Sequence, residues 1–187
     1  MQQLDRSAGV AQPALKQQFV RRARLPEQGE ALWRIESGVV CSMTWTAEGE
    51  LVCLGYWGVG DVVGHRLSRV RPYELQCLTD VVISCCPYTQ RAQFTDAIIH
   101  SQQQTEELLS IIHLNPLSQK LWQLLMWLSQ KFGRDVENGR WLDLPLTHQQ
   151  LAQTLGTNRV TVTTLLQMLE AEGKIQRQQR RLVVTRH

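Results

Sequence analysis

The sequence contains no apolar run approaching the roughly 20 residues that a membrane-spanning helix needs. Its first residues, Met1-Gln-Gln-Leu-Asp, lack the features of a secretory signal peptide, so we expect a cytoplasmic protein without membrane contact. A net charge of only +3 over 187 residues excludes a polybasic chain, although basic residues outnumber acids in the C-terminal quarter. The hydrophobic fraction of 43% is enough for one large core or two small ones.

Enzyme motifs are also missing. The sequence shows no pair of carboxylates, no nucleophile with its base and no set of metal ligands at a recognised spacing. Gly58-Val-Gly60 and Gly64 suggest a phosphate loop, but the strand-to-helix context and the lysine of a P-loop do not accompany them. We therefore predict that the chain is not an enzyme and that it has no metal or cofactor.

The cysteines fall in one region, and none forms a Cys-x-x-Cys pair. Thiols in the cytosol are normally reduced, and a buried cysteine packs like a small hydrophobic residue. We expect packing roles, with redox sensing or an iron–sulfur site as the alternative. The five cysteines are Cys41, Cys53, Cys77, Cys85 and Cys86.

A helix, a tight turn and a second helix are predicted in the C-terminal part. Thr147 precedes an apolar-periodic run and Gln150 follows three residues later, which is the spacing of a capping box. Gly156 stands where the chain turns sharply. Asn158 can cap the next helix, which we place at about 159–172 because its apolar residues recur with a helical period.

The second helix has one apolar face and one polar face. Val162, Leu165, Leu166 and Leu169 mark the buried side and leave an opposite face almost free of acid. A helix in the major groove reads base edges mainly with its N-terminal residues, and its dipole favours phosphate there. We predict that this helix reads DNA, with Arg159 near its start. An ordinary helical hairpin with a solvated polar face is the alternative.

Two short segments that contain several cations flank a polar tip after this helix. Residues 174–177 and 181–184 predict a β-hairpin, or wing, whose arginines contact phosphates without reading sequence. A solvated edge hairpin kept soluble by its charge is the alternative. The predicted DNA-contacting residues of the two helices and the wing are Thr147, His148, Gln149, Asn158, Arg159, Val160, Thr161, Thr163, Thr164, Gln167, Arg177, Arg180 and Arg181.

These residues resemble the winged helix-turn-helix of the Crp/Fnr family of bacterial transcription regulators. The similarity spans most of the chain, and Thr157-Asn-Arg-Val-Thr-Val-Thr-Thr-Leu-Leu is especially similar to the cyanobacterial members. Thr164 stands where a second base-contacting arginine is common, and Val160 replaces an acidic reader residue of cyclic-AMP-dependent members. The resemblance implies a homodimeric, sequence-specific regulator whose partners are double-stranded DNA with a two-fold-symmetric operator and RNA polymerase. A protein-interaction module with an incidental winged helix is the alternative function.

The N-terminal half predicts β-structure after a polar segment. Residues 1–24 have too few apolar positions for a core of their own and predict an arm or a short helix. Short apolar runs divided by glycines over residues 25–87 predict an antiparallel β-roll with a hairpin tip at Glu48-Gly49. The order of these glycines resembles the cyclic-nucleotide-binding fold, so the expected fold class is α+β.

The ligand cassette of the nucleotide-binding members is not preserved. His65 takes the position of their glutamate and no Arg-Ser pair follows, so we expect no regulation by cyclic AMP. The nearby basic residues form a predicted effector site for an anion such as a dicarboxylate, with a solvated basic loop as the alternative. These residues are His65, Arg66, Arg69 and Arg71.

A long helix is predicted after Pro87, because positions on one face recur at spacings of four and three residues. We interpret this stripe as a seam between the helices of two chains. A core helix of a monomer is the alternative. The seam residues are Phe94, Ile98, Ser101, Thr105, Leu108 and Ile112.

The remaining boundaries follow from these elements. Residues 88–115 form the dimerisation helix, because Pro116 disfavours helix at the preceding residue. Residues 116–187 form the DNA-binding domain. It opens with an amphipathic helix at 117–132 and continues through a linker at 135–145.

Overall fold

The computed structural model describes residues 16–27, 31–178 and 181–185. Antiparallel strands make up the N-terminal part, a long helix follows, and helices mixed with two hairpins make up the C-terminal part. This is the α+β order that the sequence predicts.

The N-terminal strands pack as two antiparallel sheets among the described residues. The strands are β1 (Lys16–Phe19), β2 (Ala31–Ser37), β3 (Val40–Trp45), β4 (Leu51–Trp57), β5 (Val62–Val63), β6 (Glu74–Cys77) and β7 (Val81–Pro87). One sheet has the order β1-β7-β2-β5 and the other β4-β3-β6. Buried side chains from both sheets, including Trp33, Ile35, Val40 and Leu75, share one core. The predicted β-roll is confirmed.

The predicted hairpin tip at Glu48-Gly49 is also confirmed. Trp45 of β3 pairs with Leu51 of β4, and the turn between them closes with a hydrogen bond from the Thr46 amide to the Glu50 carbonyl at 2.8 Å. Gly49 has a φ of 82°, a left-handed conformation that glycine adopts without steric cost.

The polar N-terminal segment differs from its prediction. Lys16–Phe19 is a strand, and Phe19 pairs with Val81 of β7. A short helix is therefore wrong at these residues, and they belong to the β-roll rather than to a separate arm. The partner strand is distant in sequence, so no local pattern indicated the pairing. Residues 1–15 of the predicted arm lie outside the described part of the chain.

Four helices lie in the described residues after the β-roll: α1 (Thr95–Ile112), α2 (Leu117–Phe132), α3 (His148–Leu155) and α4 (Arg159–Ala171). The predicted long helix is confirmed from Thr95 onward, whereas Tyr88–Phe94 forms a 3-10 segment before it. The bounds of α2 agree with the predicted amphipathic helix.

The C-terminal strands form one antiparallel sheet of order β10-β11-β9-β8. They are β8 (Gly133–Val136), β9 (Gly139–Leu142), β10 (Ile175–Gln178) and β11 (Arg181–Thr185). The wing is therefore confirmed. The linker predicted at 135–145 is wrong as far as Leu142, because β8 and β9 form a hairpin that extends the wing. Gly139 has a φ of 154°, and a Cβ there would collide with the carbonyl oxygen of Val184.

Helix α2 packs against both parts of the molecule. Its leucines belong to one buried cluster that also includes Cys41 and Met43 of β3, Leu151 of α3 and Leu166 of α4. This shared cluster holds the C-terminal helices in a defined position relative to the β-roll. The fully buried leucines of α2 are Leu121, Leu124, Leu125 and Leu128.

A buried charge at the C-terminal end of α2 joins the same parts. The Lys131 ammonium donates to a carboxylate oxygen of Asp61 at 3.1 Å and to the Tyr56 carbonyl at 2.6 Å. It also donates to Oε1 of Gln104 on α1, whose amide nitrogen donates to the other oxygen of Asp61 at 3.0 Å. Burial lowers the pKa of Lys131, and the carboxylate of Asp61 offsets part of that shift. The two charges need each other because an unpaired ion in the interior is costly.

The variant Asp61→Asn should lower the free energy of unfolding by about 3 kcal/mol, because it leaves the Lys131 ammonium buried without a counter-charge. Urea unfolding measures this loss. The control is Asp143→Asn, which breaks an ion pair with Arg134. The exposed fractions of that pair are 62% for Arg134 and 48% for Asp143, so its loss should cost less than about 1 kcal/mol. Equal losses in the two variants would contradict the role of the buried pair.

Candidate nucleic-acid interface

The start of α3 is fixed by the predicted capping box. The Thr147 hydroxyl oxygen accepts from the Gln150 amide at 3.1 Å, and the Gln150 side-chain oxygen accepts from the Thr147 amide at 2.9 Å. At the other end, Gly156 has φ 64° and ψ 43°, the left-handed conformation that the turn requires. The first helix and its turn are therefore confirmed.

Helix α4 begins as predicted. The side-chain oxygen of Asn158 accepts from the Thr161 amide at 2.9 Å, which satisfies one of the free donors of the first turn. Val162, Leu166 and Leu169 are buried against the core, and Leu165 is half-buried. The opposite face of α4 is therefore turned to solvent.

The outward face carries most of the predicted reading residues. Arg159, Val160, Thr164 and Gln167 are exposed, whereas Thr161 and Thr163 are half-buried. Met168 is also exposed, and the sequence prediction missed it. Its spacing of four residues from Thr164 would have placed it on this face.

His148 connects the starts of the two helices. Its Nδ1 lies 2.8 Å from the Thr163 hydroxyl oxygen, and that hydroxyl donates to the Arg159 carbonyl at 2.9 Å. Since the hydroxyl has one hydrogen, His148 Nδ1 is the donor between the two side chains. Partial burial lowers the pKa of His148, and the cations Arg177 and Arg159 lower it further. The imidazole is therefore mainly neutral at pH 7, with Nε2 as its acceptor atom.

The first residues of both helices share one open cleft. It is lined by Thr147, His148, Gln149 and Arg159. The free amides of the first turn of α4 and the Arg159 guanidinium give this region a positive potential. A phosphate or a base edge is the type of ligand that this potential attracts.

The wing places Arg177 beside α4. The Arg177 guanidinium donates from Nε and Nη2 to one Glu170 oxygen of α4, at 2.9 Å and 2.8 Å. This ion pair was not predicted, because the two residues meet only when the hairpin folds back. Arg181 lies in β11 opposite Gln178. Arg180 lies outside the described residues.

The predicted effector residues do not converge on one site. His65 is buried, with Nε2 3.0 Å from the Tyr73 carbonyl, and Arg66 stacks over the Tyr88 ring. Arg71 donates to the Ser68 carbonyl at 3.0 Å, and Arg69 is exposed. Arg71 also donates to the His65 carbonyl at 3.4 Å, and an effector site built from all four residues stays a prediction.

A cavity of about 500 Å³ lies beside these residues, between the β-roll and α1. None of the four predicted effector residues lines it, and no cation is among its described lining residues. Its charged group is Glu106, and its wall is mainly apolar. Members of that wall include Trp57, Val62, Val63, Leu67, Val70 and Ile98.

The stripe predicted as a dimer seam faces the chain itself. Leu108 is 4% exposed and packs in the core with α2, which also covers part of Ile112. Phe94 packs against a small cluster of the β-roll. Ile98, Ser101 and Thr105 line the cavity. The seam assignment is therefore wrong at the buried positions, because helical spacing marks a buried face without telling which surface covers it.

A stripe of α1 that adjoins the predicted seam is open. Ile99 and Leu109 are 52% and 51% exposed. Gln102, Glu106 and His113 are exposed along the same side of the helix, and Gln102 and Glu106 also line the edge of the cavity. This stripe exposes more apolar surface than the predicted seam, at Ile99 and Leu109.

Two further features of the described residues concern ligands and membranes. They contain no group of three or more histidine, cysteine, aspartate or glutamate side chains that can hold a metal ion. None of their helices combines the length and the apolar character needed to cross a membrane.

Known proteins with the same pattern are transcription regulators. A family model described as a Crp-like helix-turn-helix domain matches residues 119–187. The regulatory protein CysR of Synechococcus elongatus is 40% identical over 167 residues, which are 88% of this chain and 81% of that protein. The global nitrogen regulator of Nostoc sp. is 32% identical over 81 residues, which are 43% of this chain and 36% of that protein.

Solved structures agree on the fold. A CRP-family transcriptional regulator from Thermus thermophilus superposes with a TM-score of 0.77 at 19% identity, over 91% of this chain and 92% of that one. This likeness covers the β-roll, the long helix and the winged helix-turn-helix together. The CysR similarity over nearly the whole chain, together with the matching helix-turn-helix model, shows that this protein is not an enzyme but a member of the Crp/Fnr family of transcription regulators, with a DNA-binding helix-turn-helix.

Proposed function

We propose that the protein is a homodimer that binds a two-fold-symmetric DNA operator with sequence specificity and without control by cyclic AMP. The observation that carries this proposal is the exposed outward face of α4. This face begins with Arg159 at the positive N-terminus of the helix, and it has no acidic residue before Glu170. Such a face fits a negatively charged groove. RNA polymerase is a further proposed partner, on the family resemblance alone.

The proposed contacts divide into two groups. Arg159, Val160, Thr164 and Gln167 face outward along α4 and are the candidates for base edges. Thr147 and Gln149 line the cleft beside Arg159, and Arg177 pairs with Glu170 of α4. These residues, together with Arg180 and Arg181 of the predicted set, are the candidates for phosphate contacts. The first group is expected to set specificity and the second to set affinity.

The absence of control by cyclic AMP is proposed from the cavity between the β-roll and α1. A cyclic phosphate needs a cation or several donors, whereas Glu106 contributes a negative charge to this cavity. His65, at the position of the family glutamate, is directed to the Tyr73 carbonyl at 3.0 Å. These features disfavour a bound phosphodiester.

Homodimerisation is proposed through the open stripe of α1. Two recognition helices on a two-fold axis must reach half-sites about 34 Å apart on one side of the duplex. Ile99 and Leu109 provide an exposed apolar surface on a helix of 18 residues, and burial against the same stripe of a second copy would remove it from water.

Selection of bound sites from random duplexes tests the function directly. The wild-type protein should enrich a two-fold-symmetric sequence, and adding cyclic AMP should leave the enriched sequence and the affinity unchanged. Arg159→Ala should weaken the free energy of binding to that operator by about 1–3 kcal/mol, because a bidentate contact to guanine is lost. It should also relax specificity at one position per half-site.

A second variant and a control make this selection decisive. Thr164→Arg should shift the base preference at one position, because a longer donor then reaches the groove. The control Arg24→Ala removes an arginine of the β-roll that pairs with Glu74 at 2.8 Å. It should change neither the enriched sequence nor the affinity for the operator. If wild type and Thr164→Arg enrich the same sequence, α4 does not lie in the groove as proposed.

The Arg177–Glu170 ion pair gives a separate prediction about affinity. Glu170→Gln should strengthen binding to all duplexes alike and steepen the salt dependence by about one unit of slope, because it frees Arg177 for a phosphate. Binding titrations at several salt concentrations measure this slope.

The matched control is Glu172→Gln, which removes an equal charge from a pair with Lys174 at 2.7 Å. It should change the slope less than Glu170→Gln does. Adding Arg177→Ala to Glu170→Gln should abolish the gain. If the gain persists in this double variant, Arg177 is not the phosphate contact.

The corrected seam predicts different outcomes for two adjacent leucines. Leu109→Glu should yield a folded monomer with weak operator binding, because it places a charge in the open stripe. Leu108→Glu should instead unfold the chain, because it buries a carboxylate in the core. Sedimentation and circular dichroism separate these outcomes. The control Gln123→Glu, at an exposed position of α2, should change neither the oligomeric state nor the folding of the protein. A dimeric, fully active Leu109→Glu protein would refute the seam.

A further inference from the structure

Two cysteine side chains of the β-roll are in direct contact. Cys41 of β3 and Cys53 of β4 are both buried, and their sulfurs lie 3.0 Å apart. Cys53 is opposite Met43, and a register shift between Ser42 and Met43 brings Cys41 diagonally across from it on the same face. The close contact is therefore set by the backbone pairing of two adjacent strands.

This thiol pair lies where the β-roll meets the first helix of the DNA-binding unit. The hydroxyl of Tyr56, on the same strand as Cys53, is 2.5 Å from the Thr154 hydroxyl of α3. Thr154 donates to the Gln150 carbonyl at 2.9 Å, so its oxygen accepts from Tyr56. Both hydroxyls also contact Cys53. A displacement of the Cys53 sulfur would thus change the contacts that hold Thr154 of α3.

The environments of the two thiols differ. The hydrogen bond with Cys53, together with burial, holds the pKa of Cys41 well above its ordinary value. Burial also opposes ionisation of Cys53, but the hydrogen bond with Cys41 and the polar hydroxyls of Tyr56 and Thr154 beside the sulfur outweigh it and lower the pKa of Cys53. Cys53 is therefore the member of the pair that ionises first, and a thiolate is the reactive form.

We propose that Cys41 and Cys53 form a reversible disulfide in response to a hydroperoxide, and that this bond changes the placement of α3 and lowers affinity for DNA. The disulfide itself does not depend on the function proposed above, whereas its effect on DNA binding does. The other cysteines of the β-roll, Cys77, Cys85 and Cys86, are not needed for it.

The chemistry requires two displacement steps. The Cys53 thiolate attacks one oxygen of hydrogen peroxide and breaks the O–O bond, which gives a sulfenic acid and, after one proton is taken up, water. The Cys41 sulfur then attacks the Cys53 sulfur, the S–O bond breaks, and a second water leaves with the Cys41 proton. In sum, two thiols and one peroxide give one disulfide and two waters. A dithiol reverses the bond by thiol–disulfide exchange.

The structural consequence follows from the distance change. A disulfide is about 2.05 Å long, so the sulfurs must approach each other from their present 3.0 Å. Any movement of the Cys53 sulfur in this approach changes its contacts with Tyr56 and Thr154. Because the surrounding core is densely packed, β4 and α3 cannot absorb the movement independently.

The test uses the full-length protein treated with hydrogen peroxide, followed by blocking of free thiols and peptide mapping. The Cys41–Cys53 cross-link should form before any bond that includes Cys77, Cys85 or Cys86, and dithiothreitol should remove it. Duplex affinity should fall at least about fivefold on oxidation and recover on reduction. Cys53→Ala should lose this response, whereas Cys85→Ala should keep it.

Distinct results would overturn the proposal. Oxidation of Cys85 by peroxide without formation of the cross-link refutes it, and so does a cross-link that leaves duplex affinity within about twofold. If Cys53→Ala does not fold, mapping of the wild-type protein still decides whether the bond forms. Failure of the reduced protein to bind any duplex would count against the proposed function and not against the disulfide.

Discussion

Burial of one face of α2 is the constraint on which the position of the DNA-binding helices depends. The leucines of this helix belong to one buried cluster with residues of the β-roll, α3 and α4, so separating the β-roll from the C-terminal helices would expose apolar side chains of that cluster. Apolar burial is not directional, however, and it tolerates sliding. Lys131 adds direction, because its ammonium must meet Asp61, Gln104 and the Tyr56 carbonyl together.

The parts of the fold that the sequence predicted are those fixed by neighbouring residues. The capping box at Thr147, the left-handed Gly156 and the cap at Asn158 each depend on contacts within a few positions, so the reading helices could be placed before the structure was known. The Asn138-Gly139 pair gave an equally local hairpin signal, which the linker prediction passed over.

The parts that could not be predicted depend on residues distant in sequence. Pairing of β1 with β7, the contact of Arg177 with Glu170 and the contact of Cys41 with Cys53 arise only after the chain has folded. Periodicity on α1 identified a buried face correctly, but it carries no information about what covers that face. Leu108 was therefore assigned to a second chain when its own chain buries it.

The outward face of α4 also constrains how a sequence can be read. Arg159 brings a long, charged side chain to the first turn, whereas Val160 and Thr164 are short and β-branched. A short side chain offers an apolar contact with a thymine methyl group or a single hydrogen bond, not a bidentate pair with a base. In the function proposed above, bidentate reading would therefore fall to Arg159 in the first turn and to Gln167 further along α4. Discrimination elsewhere in the operator is then expected to rest on DNA shape and on the spacing of half-sites, which the placement of the two helices in a dimer would set.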